Sequence, residues 1–334
     1  MNNQDIDIVI IWVDGSDTNW IKQFNQFAPK ENQKNIDIRA SRYNEYGLLK
    51  YWFRSIEKNA PWARKIHFVT NGQKPEWLNE HASKLNWVKH SDYMDSNYLP
   101  TFSSHPIELN LHKINDLAEN FVYFNDDMFL LNAVPKEYFF KKNVPVMNAR
   151  ATLRWLQYPE LFSKIVYNDV KLINNCFSFN SVVKKNKAKW LLMNPIKSNI
   201  SNFIFSLQKY VPGFSTQHQA NSYTKTTFNE VWNEYYDYLN KTSNNKFRTS
   251  EDVNQFIFYY WQLCKGNFYP RQKNTSEYYV VSESNFGKIQ KCFENNKTKL
   301  FCLNDNDDED CTEIYNQIIK LFESKFPDKS SFEL

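Results

Sequence analysis

Phe121-Val122-Tyr123-Phe124-Asn125-Asp126-Asp127-Met128 sets how the rest of the chain is read. Four apolar residues run straight into an amide and two adjacent carboxylates, and apolar sequence resumes at Met128. A short apolar run bounded by polar residues reads as a buried strand. Two neighbouring carboxylates at its end are expensive to desolvate unless a positive group neutralises them. A divalent cation such as Mg²⁺ or Mn²⁺ meets that need, because it takes hard oxygen ligands and keeps positions open for phosphate. The competing reading is a solvated hairpin turn, for which Asn and Asp are common residues.

The same pattern recurs upstream. Ile6 to Val13 is a near-continuous β-branched run that ends in Asp14-Gly15-Ser16-Asp17. Lys65 to Thr70 is a second such run, ending in Asn71-Gly72-Gln73, and residues 86–90 suggest a brief third strand. Helical spacing fills the intervals at 44–59 and 106–119. Strands alternating with helices predict βαβ units, hence an α/β fold with a Rossmann-like, mostly parallel sheet. Loops at the carboxyl ends of such strands share one rim, so Asp14, Asn71 and Asp127 are expected around one crevice. Residues 1–134 form this first half. Residues 135–334 read as a largely helical second half completing the same catalytic domain, with helices at 227–239, from 250 through 261, and at 312–326.

Composition narrows the function. With 41 basic and 37 acidic residues the net charge is only +4, too balanced for a nucleic-acid binder. The five cysteines are odd in number and none sits in a CxxC pair, which fits reduced thiols in a cytoplasmic protein. The first residues lack the features of a signal peptide. The longest apolar run, Ile8 to Val13, falls far short of the ~20 residues that span a bilayer. The expectation is a cytoplasmic protein, peripheral at the inner face of the membrane. Asn304 to Asp310 is strongly acidic but lacks the Gly and bidentate Glu of a calcium loop, so it reads as solvated surface.

Chemistry-bearing residues lie elsewhere too. His105, Glu108 and His112 share one helical face, with His105 near a helix N-terminus where an anion could sit. The alternative is a hydrogen-bonded polar face. His218 lies in a polar loop, either as a surface residue or as a general base. Arg248 precedes Glu251 and Asp252, as a local ion pair or as a bidentate phosphate clamp. A Walker P-loop and a GxGxxG are both absent from the sequence.

Ile6 to Gly15 closely resembles the first conserved region of the Stealth proteins, and Arg42 to Gln73 looks like the second. Leu99 to Glu108 and the Asn125-Asp126-Asp127 strand continue the likeness. The segments around His218 and Arg248–Asp252 look like the third and fourth regions, and Phe301 to Asp305 resembles the closing segment. The resemblance implies a hexose-1-phosphate transferase, one that moves sugar-1-phosphate from a UDP-linked or similar nucleotide sugar to a saccharide hydroxyl and releases nucleoside monophosphate. Bacterial members build capsule and cell-wall polysaccharide; an animal relative makes the phosphorylated mannose tag of lysosomal enzymes. The positions implied as catalytic are Asp7, Asp127, His218 and Arg248. Asp14, Gly15, Arg42, Asn71 and His105 are expected on the donor, and Asp126 with Asp127 on Mg²⁺ or Mn²⁺. Two rivals remain: a metal-dependent glycosyltransferase that releases nucleoside diphosphate, and a polysaccharide-binding module whose 10 Trp and 20 Tyr stack on sugars.

Overall fold

The computed structural model describes residues 5–29, 36–37, 43–153, 161–216, 218–306 and 310–334. Arg42 falls outside them. The strands that position the site are β1 (Ile6–Ile11), β2 (Ile66–Thr70), β3 (Leu85–Lys89), β4 (Asn120–Phe124), β5 (Met128–Leu130), β6 (Asn221–Thr224), β7 (Ser276–Val280) and β8 (Leu300–Asn304). Four of them run parallel in the spatial order β3-β2-β1-β4, and β6 adds antiparallel to the β4 edge. The expected α/β, Rossmann-like sheet is present.

All six residues of β1 are buried, which explains its unbroken apolar sequence. Successive side chains point to opposite faces. Ile6, Ile8 and Ile10 join one core with Trp52 and Ile56 of helix α2 (Leu49–Asn59), while Val9 and Ile11 join another with Ile107 and Leu109. Helix α1 (Thr18–Phe27) opens with Asp17 accepting a hydrogen bond from Trp20 N.

β1 is the strand from which the connections depart in both directions, to β2 on one side and β4 on the other. The carboxyl ends of β1 and β4 therefore flank the topological switch point, where open α/β sheets bind ligands. A second sheet closes over this end: β7 runs parallel to β8, and β8 runs antiparallel to β5. Leu303 N donates to Asp127 O at 3.0 Å, tying the late strand to the acidic turn. Strands from the second half thus pair with strands of the first at three places among the described residues: β6 on β4, β8 on β5, and Arg248–Thr249 on Ile36–Asp37.

Four helices differ from their expected spans, the one expected over 44–59 beginning only at Leu49. The one expected over 106–119 is α3 (Ser104–Asn110) with a 3₁₀ turn at Leu111–Lys113, and Asp116 just beyond adopts φ 60°. Residues 227–239 divide into helices Lys225–Glu234 and Tyr236–Ser243, because Tyr235 leaves helical geometry. The helix expected from 250 is Phe256–Lys265. Asp252 is spent on holding Thr249, accepting from its N–H at 3.1 Å and its hydroxyl at 2.7 Å. Helix α4 (Ile196–Ser206) lies on the surface of the second half. Among the described residues no helix is long and apolar enough to cross a membrane.

Candidate active site

A cavity of about 470 Å³ opens at the switch point. Its floor is the ends of β1 and β4, with Trp12, Val13, Asn125, Asp126 and Asp127. One wall is aromatic: Trp20, Tyr43 and Phe102 cluster with Phe24 and Phe247. Gly15 makes that wall possible. Its N–H donates to Tyr43 O at 2.9 Å, and a Cβ on it would fall 2.5 Å from Tyr43. The opposite wall comes from the end of the chain, through Leu303, Asn304, Asp305 and Tyr315.

The acidic turn carries the charge. His218 Nε2 lies 2.8 Å from Asp127 Oδ2, which leaves Nδ1 as the basic ring nitrogen. Burial works against the His218 imidazolium, but the charge and hydrogen bond of Asp127 outweigh it and hold the pKa above the ordinary histidine value. The neighbouring Asp126 carboxyl is pushed up to about 8, first by burial and then by the charge of Asp127. Cys302 Sγ is 3.3 Å from the same Oδ2. Burial foremost, then Asp127, pushes its thiol well up, so it stays a neutral S–H donor.

Arg248 also reaches the cavity, its Nη2 donating to Ser104 Oγ at 2.9 Å. It sits on the two-residue strand Arg248–Thr249, paired antiparallel with Ile36–Asp37. His105 lines the cavity and is fixed from behind, Nδ1 lying 3.0 Å from the buried Asp252 Oδ2. Asn245 Nδ2 donates to the other Asp252 oxygen at 2.7 Å. Glu108 lines the cavity as well, accepting from Tyr123 Oη at 3.1 Å.

The expected residues do not all converge. Asn71, His105, Asp126, Asp127, His218 and Arg248 line one cavity. Asp7 does not. It is fully buried at the opposite end of β1, where Arg64 Nε and Nη2 donate to it at 2.9 and 2.6 Å. His67 Nε2 lies 2.9 Å away and Ala118 N donates at 2.8 Å. With every lone-pair direction engaged far from the crevice, Asp7 is an anchor between strands, and the catalytic expectation is corrected. Asp14 lies outside the cavity lining, its Oδ1 accepting from Ser16 N at 2.8 Å and Oγ at 2.6 Å. Gly15 shapes the wall without lining it. His112 packs on Phe228 and Trp232, outside the cavity.

The solvated reading of the acidic stretch 304–310 fails at its start. Asp305 Oδ2 accepts from Tyr46 Oη at 2.9 Å and Asn44 Nδ2 at 3.0 Å, and Tyr46 stacks on Tyr315 at 3.6 Å. Tyr46, Cys302, Asp305 and Tyr315 were invisible as site residues because only long-range pairing assembles them.

The turn fits a hard divalent cation. Asp127 Oδ1 and Asn125 Oδ1 are buried oxygens with no hydrogen-bond partner, and Asp126 is strongly uphill to ionise without a positive neighbour. An all-oxygen set from 125–127 suits Mg²⁺ or Mn²⁺. Asp127, His218 and Cys302 also lie close enough to share an ion.

Two conserved-region models match this sequence: Stealth protein conserved region 2 over residues 42–147 and conserved region 4 over 293–334. Along its length the chain is 38% identical to the capsular polysaccharide phosphotransferase WcwK of Streptococcus pneumoniae, over 99% of both chains. The chain belongs to the Stealth family. It is also 32% identical to the receptor polysaccharide phosphotransferase WefC of Streptococcus oralis, over 98% of this chain and 99% of that one. Among solved structures it is similar to the galactosyltransferase LgtC, at 10% identity and a TM-score of 0.39 over 95% of each chain. Stealth region 2 contains Asn71, His105, Asp126 and Asp127, and region 4 contains Cys302, Asp305 and Tyr315. The fourth Stealth region is therefore the closing wall, and not Arg248–Asp252 as the sequence suggested.

Proposed function

We propose that the chain transfers hexose-1-phosphate from a nucleotide sugar, UDP-linked or similar, to a hydroxyl of a saccharide acceptor during capsule or surface polysaccharide synthesis. The observation that carries this reading is the meeting of a histidine base, a carboxylate pair and an arginine in one cavity at the switch point. Membership of a family whose named members are capsular and exopolysaccharide phosphotransferases supports it.

Phosphoryl transfer asks for in-line positioning and charge neutralisation more than for covalent participation. His218 takes the proton of the acceptor hydroxyl, and the freed oxygen forms a bond to the sugar-linked phosphorus. The bond from that phosphorus to the nucleotide phosphate breaks, and nucleoside monophosphate leaves. Arg248 offers a planar fork of donors to the diphosphate oxygens. Asp126, Asp127 and Asn125 hold the divalent cation, Mg²⁺ or Mn²⁺, which when bound neutralises diphosphate charge. The aromatic wall of Trp20, Tyr43 and Phe102 gives the nucleoside or sugar a stacking face. Asn71 and His105 line the donor side; Arg42, on the family resemblance alone, would add a further cation for the phosphates.

The chain works in the cytoplasm, peripheral at the inner face of the membrane, where growing polysaccharide is handled. The test is product analysis with a panel of nucleotide sugars. Release of nucleoside monophosphate is the expected result. Release of nucleoside diphosphate would instead mean glycosyl transfer, and binding of polymer with no turnover of any donor would mean a recognition module.

A further inference from the structure

Helix α4 is built inside out. Beside the half-buried Phe205, which packs on the core, its inward side is polar: Asn202 is fully buried, accepts from Ala151 N at 2.7 Å and donates to Ala149 O and Trp190 O, both at 2.8 Å. Ser201 Oγ donates to Ala151 O at 2.6 Å. Its outward side is apolar. Ile196, Ile200, Phe203 and Ile204, followed by Leu207, recur at helical spacing, and each is more than half exposed. Leu192 and Tyr210 extend the same surface at 76% and 64% exposure. A soluble helix normally does the reverse, and a contiguous apolar face of this kind marks an interaction site.

The charge around the face identifies the partner. Between Asp169 and Glu230 the sequence has eight lysines and no acidic residue. Lys184, Lys185, Lys187, Lys197 and Lys209 are exposed on α4 and the helices Phe179–Lys185 and Lys187–Leu191 beside it, or just past its end. A second copy of this chain is a poor occupant, because a two-fold contact sets the same patch against itself and brings lysine against lysine. An anionic bilayer is complementary on both counts, taking apolar side chains below its headgroups and lysines among its phosphates. The apolar stretch from 192 to 210 is broken by Asn194, Lys197 and Lys209, so it suits lying in the interface and not crossing it.

We propose that α4 and its flanking lysines form the face by which this protein lies on an anionic lipid bilayer. The proposal gives a surface to the peripheral location put forward above. It is independent of the transfer chemistry.

The experiment is co-sedimentation of the full chain with vesicles of phosphatidylcholine containing phosphatidylglycerol, against vesicles of phosphatidylcholine alone. Binding to the anionic vesicles is expected, weakening as salt rises from about 0.1 to about 1 M and the Debye length shrinks from about 10 to about 3 Å. Ile200→Asp and Phe203→Asp each lower partitioning by about tenfold or more. Each Lys184→Glu or Lys185→Glu reversal lowers it by about fivefold or more. These exposed substitutions leave the melting temperature and turnover of a soluble acceptor unchanged. Wild-type protein staying in the supernatant with anionic vesicles overturns the proposal. So does equal binding by the aspartate variants, or a dimer in ultracentrifugation that the same variants abolish while no lipid is bound. A wild type that binds vesicles but turns over no donor would overturn the transfer reading and leave this one standing.

Discussion

His218 and Asp127, 91 positions apart in sequence, meet at 2.8 Å, Nε2 to Oδ2. The contact fixes the ring and leaves Nδ1 to act on a substrate. Replacing His218 by Ala is therefore expected to lower kcat by about 10² to 10⁴-fold, the usual contribution of a general base. The side chain is 36% exposed, so the melting temperature should move little. A variant that melts early yet turns over normally would make His218 a packing residue.

The buried oxygens of Asn125 and Asp127 call for a cation. EDTA is expected to abolish turnover, and Mg²⁺ or Mn²⁺ to restore it. Asp127→Asn should remove activity with or without added metal while the far-ultraviolet spectrum stays native. Undiminished turnover in EDTA would refute the metal site.

Asp7 gives the opposite signature. It is fully buried, and Arg64 pairs with it at 2.6 Å. The surviving partner, Arg64, is partly exposed and also pairs with Asp116 at 3.1 Å, so the cost is that of the buried hydrogen bonds to Asp7, about 1–3 kcal/mol. Asp7→Asn is expected to lose stability of that order in urea melts while kcat of the folded fraction is retained. A stable but inactive Asp7→Asn protein would return the residue to the catalytic list.

His112 supplies a pH dependence. Burial, followed by the charges of Lys113 and Lys225, lowers its pKa to about 3, well under the unfolded value of about 6.5. Below about pH 6.5 the unfolded chain takes up a proton that the folded chain refuses, so the stability contribution is complete above that pH and is lost as pH falls toward the folded value. A His112→Gln variant has no such proton to refuse. The stability gap between wild type and variant should shift against the wild type by up to about 1.4 kcal/mol per pH unit on acidification below about 6.5. A gap independent of pH would mean that the folded chain takes up the His112 proton as readily as the unfolded one.

The sequence disclosed the sheet because β1, β2 and β4 are buried on both faces and so carry unbroken apolar runs that end in polar turns. Asn71, Asp126 and Asp127 were legible for the same reason. Asp7 entered through the family resemblance alone, which carries over a position but not the end of the strand it occupies. Only the register, Asp7 beside Phe121, shows that it faces away from the rim. Asp14 misled because a turn aspartate can satisfy its own backbone. The closing wall was unreadable: Asp305 depends on Tyr46 and Asn44, some 260 positions earlier, and no local pattern encodes a partner at that distance.

That closing wall has a bearing on how the protein comes into being. Asp305 and Tyr315 come late in the sequence, and beyond them Leu334 donates its N–H to Trp77 O at 2.9 Å while Arg54 clasps Glu333 at 2.7 Å. A nascent chain that has emerged only as far as His218 has the acidic turn and the histidine but not the wall that encloses them. The enclosed cavity is thus withheld until Asp305 and Tyr315 have emerged and docked on Asn44 and Tyr46. Chains cut short before Asp305 would be born without that wall.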